Sequence, residues 1–159
     1  MSSRGKRLII GLGNPILSDD AAGIFAALKL KERWNNGEID VETGLISGLK
    51  IIDYLTRYEE ILIVDTIYGD NPGKYYRLPL EELKKSFHLT SPHTLNLYTA
   101  LKICESFGMN KPERIKIYVI EAKNIDVFGE GLSEEIQGKI DEFVEYILKE
   151  ETGGNDVNI

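Results

Sequence analysis

Glu60-Ile61-Leu62-Ile63-Val64-Asp65 is the stretch on which the fold turns. Its four apolar residues run without a break, and three are β-branched, so both faces of the strand they form must be covered. A half-exposed strand would alternate polar and apolar; an unbroken run belongs in the middle of a parallel sheet flanked by helices.

The segments on either side alternate as such a sheet requires. Arg7 to Leu12 is a short apolar run, closed by the turn-rich Gly11-Leu12-Gly13-Asn14-Pro15. A helix is expected from Ser18 or Asp19, either a suitable N-cap, to about Trp34, with Ile24, Phe25 and Leu28 as its buried stripe. Ile39 to Thr43 reads as a second strand. Gly48 to Tyr58 reads as a second helix, with Leu49, Ile52 and Leu55 at helical spacing.

Beyond Asp65, the turn Asp70-Asn71-Pro72-Gly73 leads to a strand over Lys74 to Leu78 and a short amphipathic segment, Leu80 to Phe87. Ser91 as N-cap and Pro92 at the first helical position open a helix to about Phe107, with Leu97, Leu101 and Cys104 turned inward. Arg114 to Glu121 is the last strand. Ser133 to Glu150 is the last helix, with Glu134 and Glu135 at its positive end and Ile136, Ile140, Phe143, Val144 and Ile147 on one stripe. The order β-α-β-α-β-β-α-β-α predicts a three-layer α/β/α fold around a mostly parallel sheet, in one domain through residue 150, with 151–159 as a frayed tail.

Composition narrows the function classes. Of 159 residues, 42% are hydrophobic and 28% charged, the balance of a globular protein, and the formal net charge is −7. A surface of that sign repels nucleic-acid phosphates, and the basic cluster Arg4-Gly5-Lys6-Arg7 is too short to outweigh it. No apolar stretch is long enough to cross a bilayer, and Leu8-Ile9-Ile10 is broken at once by glycines, which makes it a strand and not a signal peptide. The single cysteine, Cys104, has no intrachain disulfide partner, so a reducing cytoplasm is the expected home.

The densest feature is the loop from Gly11 to Gly23, which contains Gly11-Leu12-Gly13-Asn14-Pro15 and Leu17-Ser18-Asp19-Asp20. It is a poor dinucleotide site: the third glycine of that fingerprint would fall at Ile16, and two carboxylates stand where a pyrophosphate would approach. Asp19 and Asp20 can serve the helix start as cap and dipole partner. Ser18 or Asp19 suffices for that, which leaves Asp20 to point elsewhere. Asp65 follows the most buried strand, and in open α/β sheets ligands gather outside the carboxyl ends of the strands, where strand order reverses. If the first and third strands are neighbours, Asp20 and Asp65 share one rim; the plainer reading is that Asp65 ends its strand as a turn former, a job shared with Asp70 and Asn71. His93, at the second position of its helix, is held neutral by the positive dipole end, as a metal ligand must be, or else it bonds local backbone. His88 reads as a surface residue. Together Asp20, Asp65 and His93 offer two carboxylates and one imidazole, a mixed set suited to a borderline divalent ion such as nickel, zinc or iron.

The Gly-Leu-Gly-Asn loop with Leu17-Ser18-Asp19-Asp20 and Gly23, the strand ending Ile63-Val64-Asp65-Thr66, and Ser91-Pro92-His93 occur in the order and spacing of the hydrogenase maturation endopeptidases, which this chain resembles over roughly residues 7 to 145. The resemblance implies a twisted five-stranded sheet between helices. It implies removal of a C-terminal extension from the large-subunit precursor of a nickel–iron hydrogenase. It also implies that Asp20, Asp65 and His93 are the catalytic and metal-reading residues, the nickel arriving with the precursor. Many members carry Glu where this chain has Asp20, and Gly at the position of Ala21. A Gly-rich Asp-Gly-Gly-Thr segment is replaced here by Glu42-Thr43-Gly44-Leu45-Ile46-Ser47-Gly48. Two other readings compete. A peptidyl-tRNA hydrolase shares the Gly-Leu-Gly-Asn-Pro opening but needs a histidine soon after it, where this chain has none before His88. A non-catalytic nickel chaperone would use the same trio without cleavage.

Overall fold

A computed structural model describes residues 6–34, 39–46, 49–82 and 92–153, apart from the side chains of 92–96. Five strands form one sheet: β1 (Arg7–Leu12), β2 (Ile39–Gly44), β3 (Glu60–Tyr68), β4 (Tyr75–Leu78) and β5 (Arg114–Ala122). Among the described residues, four α-helices flank it: α1 (Ala22–Arg33), α2 (Leu49–Arg57), α3 (Pro92–Ser106) and α4 (Glu134–Thr152). The spatial order is β2-β1-β3-β5-β4, with β4 antiparallel to β5 and every other pairing parallel. This is the mostly parallel, three-layer α/β fold expected, and β1 and β3 are neighbours.

The expected central strand is central. Ile61 through Ile67 of β3 are all buried, because β1 and β5 flank it and helices cover both faces. Alternation divides its side chains between two cores. Leu8, Ile10, Ile61, Ile63, Ile117 and Val119 meet α2 and α3 on one face. Ile9, Leu62, Val64, Tyr118 and Ile120 meet α1 and α4 on the other. At the amino edge, Arg7 and Arg114 clasp Glu60 at 2.7 and 3.0 Å, tying together three residues in lateral register on β1, β3 and β5.

Three expectations need correction. The buried face of α1 is Ala22, Gly23, Ala26, Ala27 and Leu30, while Phe25 and Leu28 are exposed and Ile24 only half-buried. The reason is distance: a Cβ on Gly11 would lie 2.6 Å from Ala27 Cβ and 2.7 Å from the Gly23 carbonyl, so helix and strand are too close for large side chains between them. Leu49 is likewise exposed; α2 buries Leu55 as expected and Ile52 in part, but its other buried residues are Ile51 and Tyr54. Finally, α4 continues past Glu150 to Thr152. Glu151 accepts a hydrogen bond of 2.5 Å from the Tyr118 hydroxyl and an ion pair of 3.1 Å from Lys116, which anchor the end of the helix to β5. The α4 stripe itself is as expected, with Ile136, Ile140, Phe143, Val144 and Ile147 fully buried. Leu80 to Glu82 apart, the expected amphipathic segment lies outside the described residues, as do 154–159.

Two glycines predict opposite outcomes. A Cβ at Gly23 would meet the Val64 and Leu12 carbonyls at 2.5 and 2.6 Å, so Gly23→Ala pushes α1 off the sheet and should destabilise by about 1–3 kcal/mol. At Gly138, inside α4, an added Cβ meets nothing within 4 Å, so Gly138→Ala should stabilise by about 0.5–1 kcal/mol. Urea melts of the two variants beside the parent check both signs; a stabilised Gly23→Ala would refute the close contact.

Candidate active site at the carboxyl edge of the sheet

The strand order reverses between β1 and β3, and ligands of open parallel sheets bind beyond the strand ends at that point. The register of β1 with β3 ends at Gly11 opposite Val64, so β3 runs on past β1 from Asp65. The loop after β1 fills the space beside it. Gly13 donates its N–H to the Gly44 carbonyl at 3.2 Å, and Asp20 donates its own to the Leu17 carbonyl at 3.0 Å. Ser18–Ala21 make a single 3-10 turn that runs directly into α1. A Cβ on Gly13 would stand 2.2 Å from the Asp20 carbonyl oxygen, so only glycine lets the loop double back so tightly. Gly23, one turn on, sits where its Cβ would lie 3.1 Å from Asp65 Cα. The two glycines thus seat the Asp20 turn against the end of β3.

Asp20 is 7% exposed, and its Oδ2 accepts a 2.8 Å hydrogen bond from the Asn14 backbone N–H. Asp65 is fully buried, and its Oδ1 accepts one of 2.8 Å from the Thr66 N–H. By strand alternation Asp65 shares the face of Ile61, Ile63 and Ile67, toward the layer of α2 and α3.

His93 is the second residue of α3, as expected, with Pro92 at the first helical position. α3 packs Leu97, Leu101 and Cys104 into the core on the Asp65 face. It is joined to the amino end of β5 by residues 107–113, so a helix of 15 residues, about 22 Å long, starts toward the carboxyl edge. The imidazole of His93 lies outside the described residues, and so does His88. Among the described residues, no three His, Cys, Asp or Glu side chains come together as an ion-holding group. Cys104 is fully buried, and burial raises its thiol pKa, which fits packing and not nucleophilic attack.

Two carboxylates at this edge have roles that the sequence pattern did not reveal. Asp19, expected as an N-cap of its own helix, serves a different one. Its Oδ1 accepts from the Ser133 backbone N–H at 2.7 Å and its Oδ2 from the Ser133 hydroxyl at 2.8 Å, at the start of α4. The turn has no side-chain cap. Glu121, 8% exposed, continues the alternation of Ile115, Ile117 and Val119 onto the Asp65 face, which is the signal that could have found it. It accepts a hydrogen bond from the Tyr76 hydroxyl. Burial, with the Glu121 charge behind it, pushes the Tyr76 phenol up to about 12.

Residues 26–150 match the sequence pattern of a family described as hydrogenase maturation protease; the match includes Asp65 and His93 and begins six residues after Asp20. The hydrogenase expression/formation protein HupD of Thiocapsa roseopersicina is 22% identical over 153 residues, covering 94% of this chain and 69% of that protein. The solved hydrogenase maturating endopeptidase HybD from E. coli superposes with a TM-score of 0.77 at 23% identity, covering 93% of this chain and 94% of that one, a likeness of fold. The NiFe hydrogenase maturation protease HybD from Thermococcus kodakarensis is 28% identical with a TM-score of 0.67, over 91% of this chain and 97% of its own. With the family pattern spanning most of its length, this chain belongs to the hydrogenase maturation proteases.

Proposed function

We propose that this chain is an endopeptidase that removes the C-terminal extension of a nickel–iron hydrogenase large-subunit precursor, and that Asp20, Asp65 and His93 recognise nickel already seated in that precursor. The observation that carries the reading is that two buried carboxylates, Asp20 in the turn after β1 and Asp65 within β3, both lie beside the switch point of the sheet. A second observation supports it: the helix that opens with Pro92-His93 starts toward the same edge, on the face that Asp65 occupies.

Each group has a definable task. The Asn14 and Thr66 N–H groups orient the Asp20 and Asp65 carboxylates, so neither needs to reorganise on meeting a cation. His93, at a helix N-terminus, is disfavoured as imidazolium and would offer a neutral nitrogen. A bound divalent ion acts as a Lewis acid, polarising a peptide carbonyl or a water. Recognition through the ion makes cleavage depend on completed metal insertion: an empty precursor lacks the charge that offsets two buried carboxylates. The reaction is water-consuming peptide hydrolysis in a reducing compartment such as the cytoplasm, which the lone Cys104 favours.

The expected result is loss of a C-terminal peptide from nickel-loaded precursor and none from nickel-free precursor, read by gel shift and mass spectrometry. Binding of the loaded precursor without cleavage would instead favour a chaperone. Asp20→Asn, Asp65→Asn and His93→Ala should each slow processing by about 100-fold or more with circular dichroism unchanged. A variant that processes at the parental rate removes its residue from the site. Crystals soaked in a divalent salt should show density between the three side chains.

A further inference from the structure

We infer that Asp19 is a positioning residue that holds Asp20 in place by clamping its turn to the start of α4, an inference that rests on the role proposed for Asp20. Asp19 is 2% exposed, and both its carboxylate oxygens bond Ser133, one at the backbone N–H and one at the hydroxyl. The Ser133 hydroxyl also accepts from the Ile136 N–H at 3.4 Å, so the same serine caps α4. The clamp is not isolated. Asp19 donates its N–H to the Asn124 carbonyl at 3.1 Å, Ser18 donates to the Gly129 carbonyl at 3.0 Å, and Gly129 returns a bond of 2.9 Å to the Ile16 carbonyl. The segment following β5 therefore grips Ile16, Ser18 and Asp19, and Asp20 is the next residue along.

The turn needs holding. Ser18 has φ of +45°, a left-handed conformation unfavourable for a residue with a Cβ, and the turn carries no cap of its own. A strained turn persists only where its surroundings over-determine it. Asp19 supplies the side-chain part of that constraint, placed so that any relaxation moves the Asp20 carboxylate relative to Asp65.

The test measures processing of nickel-loaded precursor by Asp19→Ala, Asp19→Asn, Asp20→Asn and Asp19→Ala/Gly138→Ala, with thermal melts of each. Asp19→Ala should lower kcat by about 10- to 100-fold with KM within about twofold, as loss of an orienting partner does. Asp19→Asn, which keeps one acceptor for the Ser133 N–H, should recover part of that rate and also guards against a poorly folding alanine variant. Gly138→Ala should restore the melting temperature of Asp19→Ala without restoring kcat. Parental kcat in Asp19→Ala, or kcat that returns together with the melting temperature, overturns the inference while Asp20→Asn stays inactive. Parental processing by Asp20→Asn would overturn the role of Asp20 itself, and the inference with it.

Discussion

Backbone against backbone is the contact on which this architecture depends. Gly11 and Gly23 let α1 lie so close to the ends of β1 and β3 that a methyl group on either glycine would strike a carbonyl oxygen within 2.7 Å. Such an approach fixes where the helix begins, and hence where the turn before it must fold. With Gly13 allowing that turn to double back onto the Asp20 carbonyl, eight loop residues suffice to bring a carboxylate from the end of β1 to the side of β3. Larger residues at these positions would leave every element recognisable and move Asp20 off the end of β3.

That closeness also explains which parts of the fold were legible in advance. Runs and stripes were readable wherever bulky side chains fill the gap between layers: the Ile61–Val64 run, the Ile136-to-Ile147 stripe of α4, and Leu97, Leu101 and Cys104 of α3 all lie in the core. On α1 the rule inverted. Phe25, at 39% exposed, and Leu28, at 45%, face outward, while Ala22, Ala26 and Ala27 are fully buried. Hydrophobicity ranks residues by size, and a glycine-mediated contact selects against size. The two glycines were visible in the sequence, but nothing local said that each faces backbone of another element.

The placement of the two candidate carboxylates was legible to the same degree. Asp20 comes from the loop after β1 and Asp65 from β3, whose relative position follows from strand order, and a parallel sheet with β1 beside β3 has few alternatives. Asp19 was misread because capping is usually a local relation, satisfied within three residues. Here its carboxylate caps across 114 positions of sequence, a pairing that only tertiary structure determines. Glu121 was passed over because a carboxylate ending an apolar strand looks like the start of a loop. Its burial comes from β3 running on beside it, with Ile67 in register opposite.

The carboxyl edge of a parallel α/β sheet ordinarily favours anions, since helices returning from it present their N-terminal N–H groups and positive dipole ends there. In this chain the preference is turned around. Asp19 occupies the backbone N–H of Ser133 ahead of α4, and Asp20, in the turn that leads into α1, adds negative charge beside that helix start. Asp65 and Glu121 add two more buried acids on the adjoining strands, in a protein of net charge −7. A nucleotide or phosphate approaching this edge meets repulsion where a dinucleotide-binding fold would offer a cradle. A cation approaching it meets carboxylates already desolvated and oriented, so the desolvation cost of the acids falls on folding rather than on binding. The familiar loop-and-helix geometry of a nucleotide site thus remains, and two consecutive residues, Asp19 and Asp20, set negative charge where that geometry would otherwise favour an anion.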